Sequence, residues 1–411
     1  MRGFGAFAAG LASGRARLNS TAAKGLTLVL GNESADLDSV VSSIALAYSL
    51  SRGEEWAVPV INTNRADMAL RPDSELLLRS VLPGGGMEDL AFIDDVDMAA
   101  LLDRVGLSGL AIWLADHNAP ASRQAVLEPF VRGIVDHHAD EGKCRGAEWR
   151  QIEKVGSCAT LVAERIRGMQ QGSLEPELAK MLLAPILIDT SNLDPKAQRA
   201  TEKDIECVRW LEPQVNWAAA SAGVTTGDDA EPSLDVGSSD ALYRTLDKVK
   251  GRVSHYPSRD LLRKDYKQWE VAVGGGRPWT VGISSISYRL RKWLKRDGRQ
   301  EVERAVIGWV AERKLDVALV MTHGKAKEAK GGSKVYGRDL TVAFGDGVPL
   351  EMRRLVVEGL LGSDQLGLRG YFGADDGGGG GRIHFYTQTR TESSRKQVFP
   401  VVKSVVESLG E

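Results

Sequence analysis

At 411 residues with 43% hydrophobic content, the chain is long enough for two packed cores, since single cores stop growing at about 250–300 residues. Its 53 basic and 55 acidic residues nearly cancel, which excludes a large net field and argues against nucleic acid or an anionic membrane as main partner. Cys144, Cys158 and Cys207 lack metal-ligand spacing and read as small buried hydrophobes, and no apolar run reaches the roughly 18–20 residues that span a bilayer.

The first 24 residues hold Arg2, Arg15, Arg17 and Lys24, no acid, and many Ala, Gly and Ser. That composition suits a disordered tail or a mitochondrial transit peptide, so the expected location is the cytoplasm, with the mitochondrial matrix as the alternative. From Leu26 the chain alternates short apolar runs with helical patterns. Leu26 to Leu30, Ala57 to Ile61, Leu110 to Leu114 and Val131 to Val135 read as buried strands, with helices over Val40 to Leu50 and Ser157 to Arg167. Apolar strands separated by helices predict an α/β fold with a parallel sheet covered on both faces. Residues 213–240, rich in Ala, Ser, Gly, Thr and Asp, read as a connection between a first domain over 25–220 and a second over 235–411. The second domain has its own apolar runs, Trp279 to Ile283, Val317 to Met321 and Ile383 to Tyr386, and reads as mixed α/β. The glycine runs Gly84 to Gly86 and Gly377 to Gly381 read as flexible loop tips.

The residues just past each apolar run carry the chemical signal. Leu26 to Leu30 leads to Asn32, Asp36 and Asp38, Leu110 to Leu114 to Asp116-His117-Asn118, and Val131 to Val135 to Asp136-His137-His138. A fourth run, Met181 to Ile188, ends in Asp189-Thr190. One such Asp is most often a turn former or a helix cap, and Asp38 with Ser39 could simply cap the helix beginning near Val40. Yet three of only six histidines fall in these clusters. If all four runs are parallel strands, their ends share one edge, where ligands bind such sheets, and Asp36, Asp38, Asp116, Asp136 and Asp189 converge with His137 and His138. Carboxylates so close repel unless cations hold them, and Asp and His suit a pair of divalent ions.

These segments resemble the four signature motifs of the DHH phosphoesterase superfamily. Asp265-Tyr266-Lys267 and Ser394-Arg395-Lys396-Gln397-Val398 are similar to basic motifs of the C-terminal, DHH-associated domain found in family II inorganic pyrophosphatases, fungal (yeast-type) exopolyphosphatases and prune-like proteins. The resemblance runs from Leu26 to the end of the chain and implies an active site in the cleft between a metal-binding domain and a smaller substrate-binding domain. It implies two divalent ions, Mg²⁺ first, with Mn²⁺ or Co²⁺ as alternatives. Asp36 and Asp116 would hold one, and Asp38, Asp116, His137 and Asp189 the other. His138 would face the scissile phosphate, Asp136 would orient the histidines, and Lys267, Arg395 and Lys396 would grip phosphate oxygens.

Asn32 stands where family II pyrophosphatases carry a metal-binding histidine, which leaves an oxygen-rich site suited to Mg²⁺. That Asn with an intact Asp136-His137-His138 resembles the exopolyphosphatase branch. The implied reaction is release of terminal orthophosphate from inorganic polyphosphate by a monomer, with nucleoside and guanosine polyphosphates as further substrates. The alternatives are an inorganic pyrophosphatase, a prune-like cyclic-nucleotide phosphodiesterase and, more distantly, an oligonucleotide exonuclease. The basic run Arg289 to Arg296 reads first as a solvated helix surface and second as a rail for a polyanion. His323, at the end of an apolar run, is assigned no role.

Overall fold

The computed structural model describes residues 3–20, 25–51, 56–85, 87–106, 109–169, 172–217, 233–234, 236–274, 276–327, 334–373 and 381–410. Contacts divide the chain into two units, Met1–Lys250 and Gly251–Glu411.

The first unit runs α1 (Phe4–Ala9), α2 (Leu11–Leu18), β1 (Leu26–Leu30), α3 (Leu37–Leu50), β2 (Val58–Ile61), α4 (Pro72–Val81), β3 (Ala91–Phe92), α5 (Met98–Val105), β4 (Leu110–Ala115), β5 (Val131–Asp136), β6 (Trp149–Ile152), α6 (Cys158–Met169), α7 (Pro176–Asp189), α8 (Glu202–Leu211) and α9 (Ser239–Lys250). Its strands form one parallel sheet in the order β3-β2-β1-β4-β5-β6. Side chains alternate across a strand, so β1 sends Val29 to a core with Val41, Ile44, Leu161 and Leu182, and Leu28 and Leu30 to a second core with Ile112, Leu114 and Ile134. Both faces are dry, which is why these strands read as nearly continuous apolar runs.

Three sequence expectations change here. Met181 to Ile188 is not a strand; it lies within α7, where every residue from Met181 to Ile188 is buried. A helix apolar all round and a buried strand share one composition, and only length separates them. Residues 4–18 form α1 and α2 rather than a disordered tail, one of the two expectations for this stretch. Phe4 packs edge-on to Tyr48 at 5.7 Å, Phe7 stacks on Trp56 at 5.6 Å, and Glu175 accepts the N–H groups of Phe4 and Gly5 at the start of α1. The domain boundary also moves: Leu242 and Leu246 of α9 join the first core, so this helix belongs to the first unit although it lies past the expected start at residue 235. The stretch 218–232 of the expected connection, and all of Gly377 to Gly381 but Gly381, fall outside the described residues.

The second unit runs α10 (Ser258–Lys264), β7 (Tyr266–Val271), β8 (Trp279–Ile286), α11 (Leu290–Asp297), α12 (Arg299–Arg313), β9 (Val317–Lys327), β10 (Lys334–Phe344), α13 (Leu350–Leu361), β11 (Leu368–Gly370), β12 (Ile383–Gln388) and α14 (Arg395–Glu407). Its mixed sheet has the order β11-β12-β10-β9-β8-β7, with only β8 and β9 parallel. One face packs Ile283, Leu319 and Val342 against Val356 of α13 and Val398 and Val402 of α14. No helix among the described residues is long and apolar enough to cross a membrane.

Phe7→Ala tests the packing of the N-terminal helices. Losing a buried aromatic ring should cost about 3 kcal/mol, read as a lower urea midpoint for the first unit. An unchanged midpoint would mean that α1 contributes nothing to the fold.

Candidate metal centre

Strand order reverses between β1 and β4, and in sheets of this kind the ligand crevice lies there, outside the carboxyl ends. The chain leaves β1 through Gly31, where a Cβ would come within 2.7 Å of Ser39 Oγ, so a bare backbone lets the loop pass over the start of α3. Asn32 N–H donates to that Ser39 Oγ at 2.7 Å. The Asn32 amide oxygen accepts from Ser34 N–H (2.9 Å), Ser34 Oγ (2.7 Å) and Ala35 N–H (3.2 Å), which orients its NH₂ group toward Asp116. Nδ2 then donates to Asp116 Oδ2 at 2.6 Å. Asn32 therefore positions Asp116, and its oxygen is already committed. Asp36 is exposed and caps α3, accepting from Ser39 N–H at 3.1 Å. Asp38, buried, accepts from Cys158 N–H (2.7 Å), Ala159 N–H (2.9 Å) and Ser42 Oγ (3.1 Å), and so caps α6 from across the core.

The turn after β5 fixes both imidazoles. His137 Nδ1 lies 3.0 Å from the Val155 carbonyl oxygen, which only accepts, so Nδ1 carries a proton and Nε2 is the nitrogen whose lone pair becomes available when the ring is neutral. Nε2 faces Asp116 Oδ1 at 3.3 Å and Asp38 Oδ2 at 3.8 Å. His138 Nδ1 donates to Asp136 Oδ1 at 2.8 Å and lies 3.6 Å from Asp116 Oδ1. His117 Nδ1 donates instead to the Ala115 carbonyl at 3.0 Å.

The three buried carboxylates differ in how many donors they have. Asp136 accepts from His137 N–H, His138 N–H and His138 Nδ1 on one oxygen, and from Asn118 Nδ2 at 2.5 Å on the other. Burial would raise its pKa, but those donors hold its carboxyl well below the usual range. Asp116 has one good donor, Asn32, and its buried Oδ1 has no hydrogen-bond partner. Burial and the neighbouring Asp38 push its pKa far up. Asp189, at the end of α7 and half-buried, is raised the same way by burial, Asp38 and Asp36 against the opposing charge of Lys250. Burial alone would lower the His137 pKa, yet Asp116 and Asp38 push it up to about 10. An orphaned carboxylate oxygen facing an imidazole lone pair is a donor set that fits a divalent cation. Ligand atoms of Asp116, His137 and His138 all lie within 4.8 Å of one another. Asp38 adjoins this group through His137, and Asp189 and Asp36 act on it electrostatically. His138, expected to face phosphate, thus sits as close to Asp116 as a ligand would.

Two supporting residues lie outside the set expected from the sequence. Asn118 holds Asp136 and also the 139–141 turn, donating to the Ala139 carbonyl at 2.9 Å and accepting from Glu141 N–H at 2.8 Å. Buried Asp204 accepts from Gly156 N–H (2.8 Å), Thr201 N–H (2.7 Å) and Thr160 Oγ1 (2.6 Å), which pins the loop whose Val155 orients His137. Asn118 is visible beside His117 in the sequence, whereas Asp204 carries no local signal.

In the second unit Lys267 lies on β7 and Lys396 is exposed in the first turn of α14. Arg395 binds Asp265 Oδ1 at 2.7 Å, so its fork is partly occupied. Ser394 and Gln397 close a capping box there. Two cations in a helix's first turn oppose its dipole, and an anion at that end relieves both. The basic run forms α11 with Arg289 just ahead of it; Arg289 is paired with Asp339 at 2.9 Å and Arg296 with Asp297 at 2.5 Å, while Arg291, Lys292 and Lys295 are exposed.

Residues 27–186 match the DHH family, N-terminal domain, and residues 244–405 the DHHA2 domain. The chain is 34% identical over 276 residues to the Rattus norvegicus protein named exopolyphosphatase PRUNE1, covering 66% of this chain and 55% of that one. It is also 34% identical over 284 residues to a Schizosaccharomyces pombe protein provisionally named exopolyphosphatase, covering 63% of this chain and 66% of that one. The chain thus spans about half the length of the first of these relatives. A Methanococcus jannaschii structure assigned to the family II inorganic pyrophosphatases shares the fold, with a TM-score of 0.58 at 19% identity over 92% of this chain and 99% of that one.

His137 must shed a proton before Nε2 can bind a cation. Mn²⁺ affinity should therefore rise about tenfold per pH unit through the neutral range and level off only near about pH 10. Calorimetric titration in buffers of different ionisation enthalpy counts the proton, and a pH-independent affinity would remove His137 from the ligand set. Asn32→Ala should weaken Mn²⁺ binding about 10- to 100-fold by releasing Asp116.

Proposed function

This chain belongs to the DHH family, with its N-terminal domain followed by a DHHA2 domain, and from that membership we propose that it is a metal-dependent exopolyphosphatase releasing orthophosphate from the end of inorganic polyphosphate. The reading rests above all on buried Asp116 flanked by half-buried His137 and His138, with one carboxylate oxygen left without a donor. Polyphosphate is favoured over pyrophosphate by Asn32, by the intact Asp136-His137-His138, and by two relatives at 34% identity that bear the exopolyphosphatase name.

Asp116, Asp38, His137, Asp36 and Asp189 would hold two divalent ions, Mg²⁺ first because Asn32 supplies no nitrogen ligand. When bound, such ions lower the pKa of water enough to supply hydroxide near neutral pH and screen phosphoryl charge. His137 stays in its ligating tautomer because the Val155 carbonyl holds the Nδ1 proton. Asp136 holds the Nδ1 proton of His138 and so fixes the ring, whose Nε2, when it too carries a proton, would donate to a phosphoryl oxygen as charge builds on it. Lys396 and Lys267 bind oxygens of the phosphate chain as point charges, and Arg395, braced by Asp265, does so as a fork. Charge in the loose transition state spreads over the phosphoryl oxygens, so these donors and cations stabilise it without a covalent intermediate. The enzyme would act as a monomer in the cytoplasm.

Phosphate release from long-chain polyphosphate and from pyrophosphate in Mg²⁺ should differ strongly in favour of the polymer and vanish in Asp116→Ala. Brisk pyrophosphate hydrolysis would move the chain to the pyrophosphatase branch. His138→Ala should lower kcat about 10²- to 10⁴-fold while Mn²⁺ still binds; loss of the metal as well would make His138 a ligand instead.

A further inference from the structure

The order β11-β12-β10-β9-β8-β7 sets β9 and β10 between two cationic points of the second unit. On one side is β7 with Lys267, and on the other is β12, whose exit loop leads into Arg395 and Lys396. On the two middle strands His323 and Arg338 stand opposite each other as an antiparallel pair. Lys267 pairs with Ile283 and Ile283 with Leu319, so period two along β9 puts His323 on the same face as Lys267. That face packs under α13 and α14 through Leu319 and Val342, while farther out His323 and Arg338 are only half-buried. Lys325, the next residue on this face, is exposed.

The ion pairing in this region is uneven. Arg395 has Asp265, Arg289 has Asp339, and Arg296 has Asp297. Arg338 has no carboxylate partner among the described residues. Its Nε donates to the Thr391 carbonyl at 2.6 Å, which spends one edge of the guanidinium on the loop before α14, and its Cζ lies 5.7 Å from the Tyr336 ring centroid. Lys325 and Arg338 thus bring positive charge to one sheet end beside the His323 imidazole, Lys267 lies level with Leu319, and no acid among the described residues pairs with Arg338. Two strand spacings from β7 to β9 and the four residues from Leu319 to His323 together put the backbones of Lys267 and His323 roughly 16 Å apart, too far to share one phosphoryl group.

We infer that His323 and Arg338 form a further phosphate-binding step, holding a phosphoryl group of a polyphosphate chain other than the ones gripped by Lys267, Arg395 and Lys396. The inference rests on the exopolyphosphatase reading and names the residues by which the second unit discriminates chain length. Long-chain polyphosphate engages this step, and shorter chains engage it less.

The test compares KM for long-chain polyphosphate and for tripolyphosphate across a salt series, in wild type, Arg338→Gln, Arg338→Lys and His323→Asn. Arg338→Gln should raise KM for the long chain about tenfold relative to that for tripolyphosphate, as expected for one charge-assisted contact. It should flatten the slope of log KM against log salt by about 0.7, one phosphate contact's worth. Arg338→Lys keeps the charge and should keep the slope. Equal KM changes on both substrates, or an unchanged slope in Arg338→Gln, would overturn the inference. The same slopes can be read as binding of long-chain polyphosphate with metal chelated. A wild-type protein that binds the chain but releases no phosphate would defeat the functional reading alone, whereas wild-type cleavage with an unshifted Arg338→Gln would defeat this inference alone.

Discussion

Asp116 is a carboxylate buried in the protein with a single hydrogen-bond donor and with one oxygen that the His137 imidazole faces, and much of the first unit is arranged around that fact. Isolated burial of a charge is too costly to persist, so such a group is neutralised by a proton or met by a cation. The neighbours of Asp116 show which outcome the fold prepares. Asp136 receives four hydrogen bonds and Asp38 three, so the fold satisfies those two carboxylates from within. Asp116 receives one from Asn32, while His137 is locked with Nε2 toward the free oxygen. The unequal donor count is what separates an orienting carboxylate from a coordinating one, although all three are Asp.

The same scaffold stores local strain at this point. Asp116 itself has φ +64°, and Ser191, Asn192 and Leu193 come after Asp189 with φ of +56°, +59° and +58°. Left-handed backbone is unfavourable for these residues and persists where surrounding contacts over-determine it. Asn192 N–H bonds back to the Leu187 carbonyl at 2.7 Å, and Leu193 N–H donates to Thr190 Oγ1 at 3.2 Å, which together stop α7 abruptly at Asp189. Asp38 ties the centre to α6 by capping it, so α3, α6, α7 and the ends of β1, β4 and β5 are fixed around one point.

In the second unit the governing question is which cations are already neutralised. The dense basic run Arg289 to Arg296 looks like the strongest anion site in the chain, yet its two ends are ion-paired inside the fold. Gly337 makes room for one of them: a Cβ there would come within 2.1 Å of an Arg289 nitrogen. Lys267, Lys325, Arg338 and Lys396 are dispersed in sequence, and the sheet order sets the strands that carry the first three, β7, β9 and β10, within the four adjacent strands β10-β9-β8-β7.

The parallel sheet and the chemistry at its edge are written in the order of the residues. Short apolar runs with carboxylates and histidines immediately after them are local signals, and burial of both sheet faces makes such runs hard to read otherwise. β1, β2, β4 and β5 and the convergence of Asp38, Asp116 and His137 are legible for that reason. Packing in three dimensions is needed to make Met181 to Ile188 helical, because an all-apolar segment is buried in either form. It is needed as well for residues 4–18, since Phe4 and Phe7 become informative only once Tyr48 and Trp56 are beside them. Asp204 and the pairing of Arg289 with Asp339 and of Arg395 with Asp265 stay hidden for the same physical reason: a polar side chain's role depends on whether its partner is a proton donor, an acid or solvent, and those partners come from distant parts of the chain.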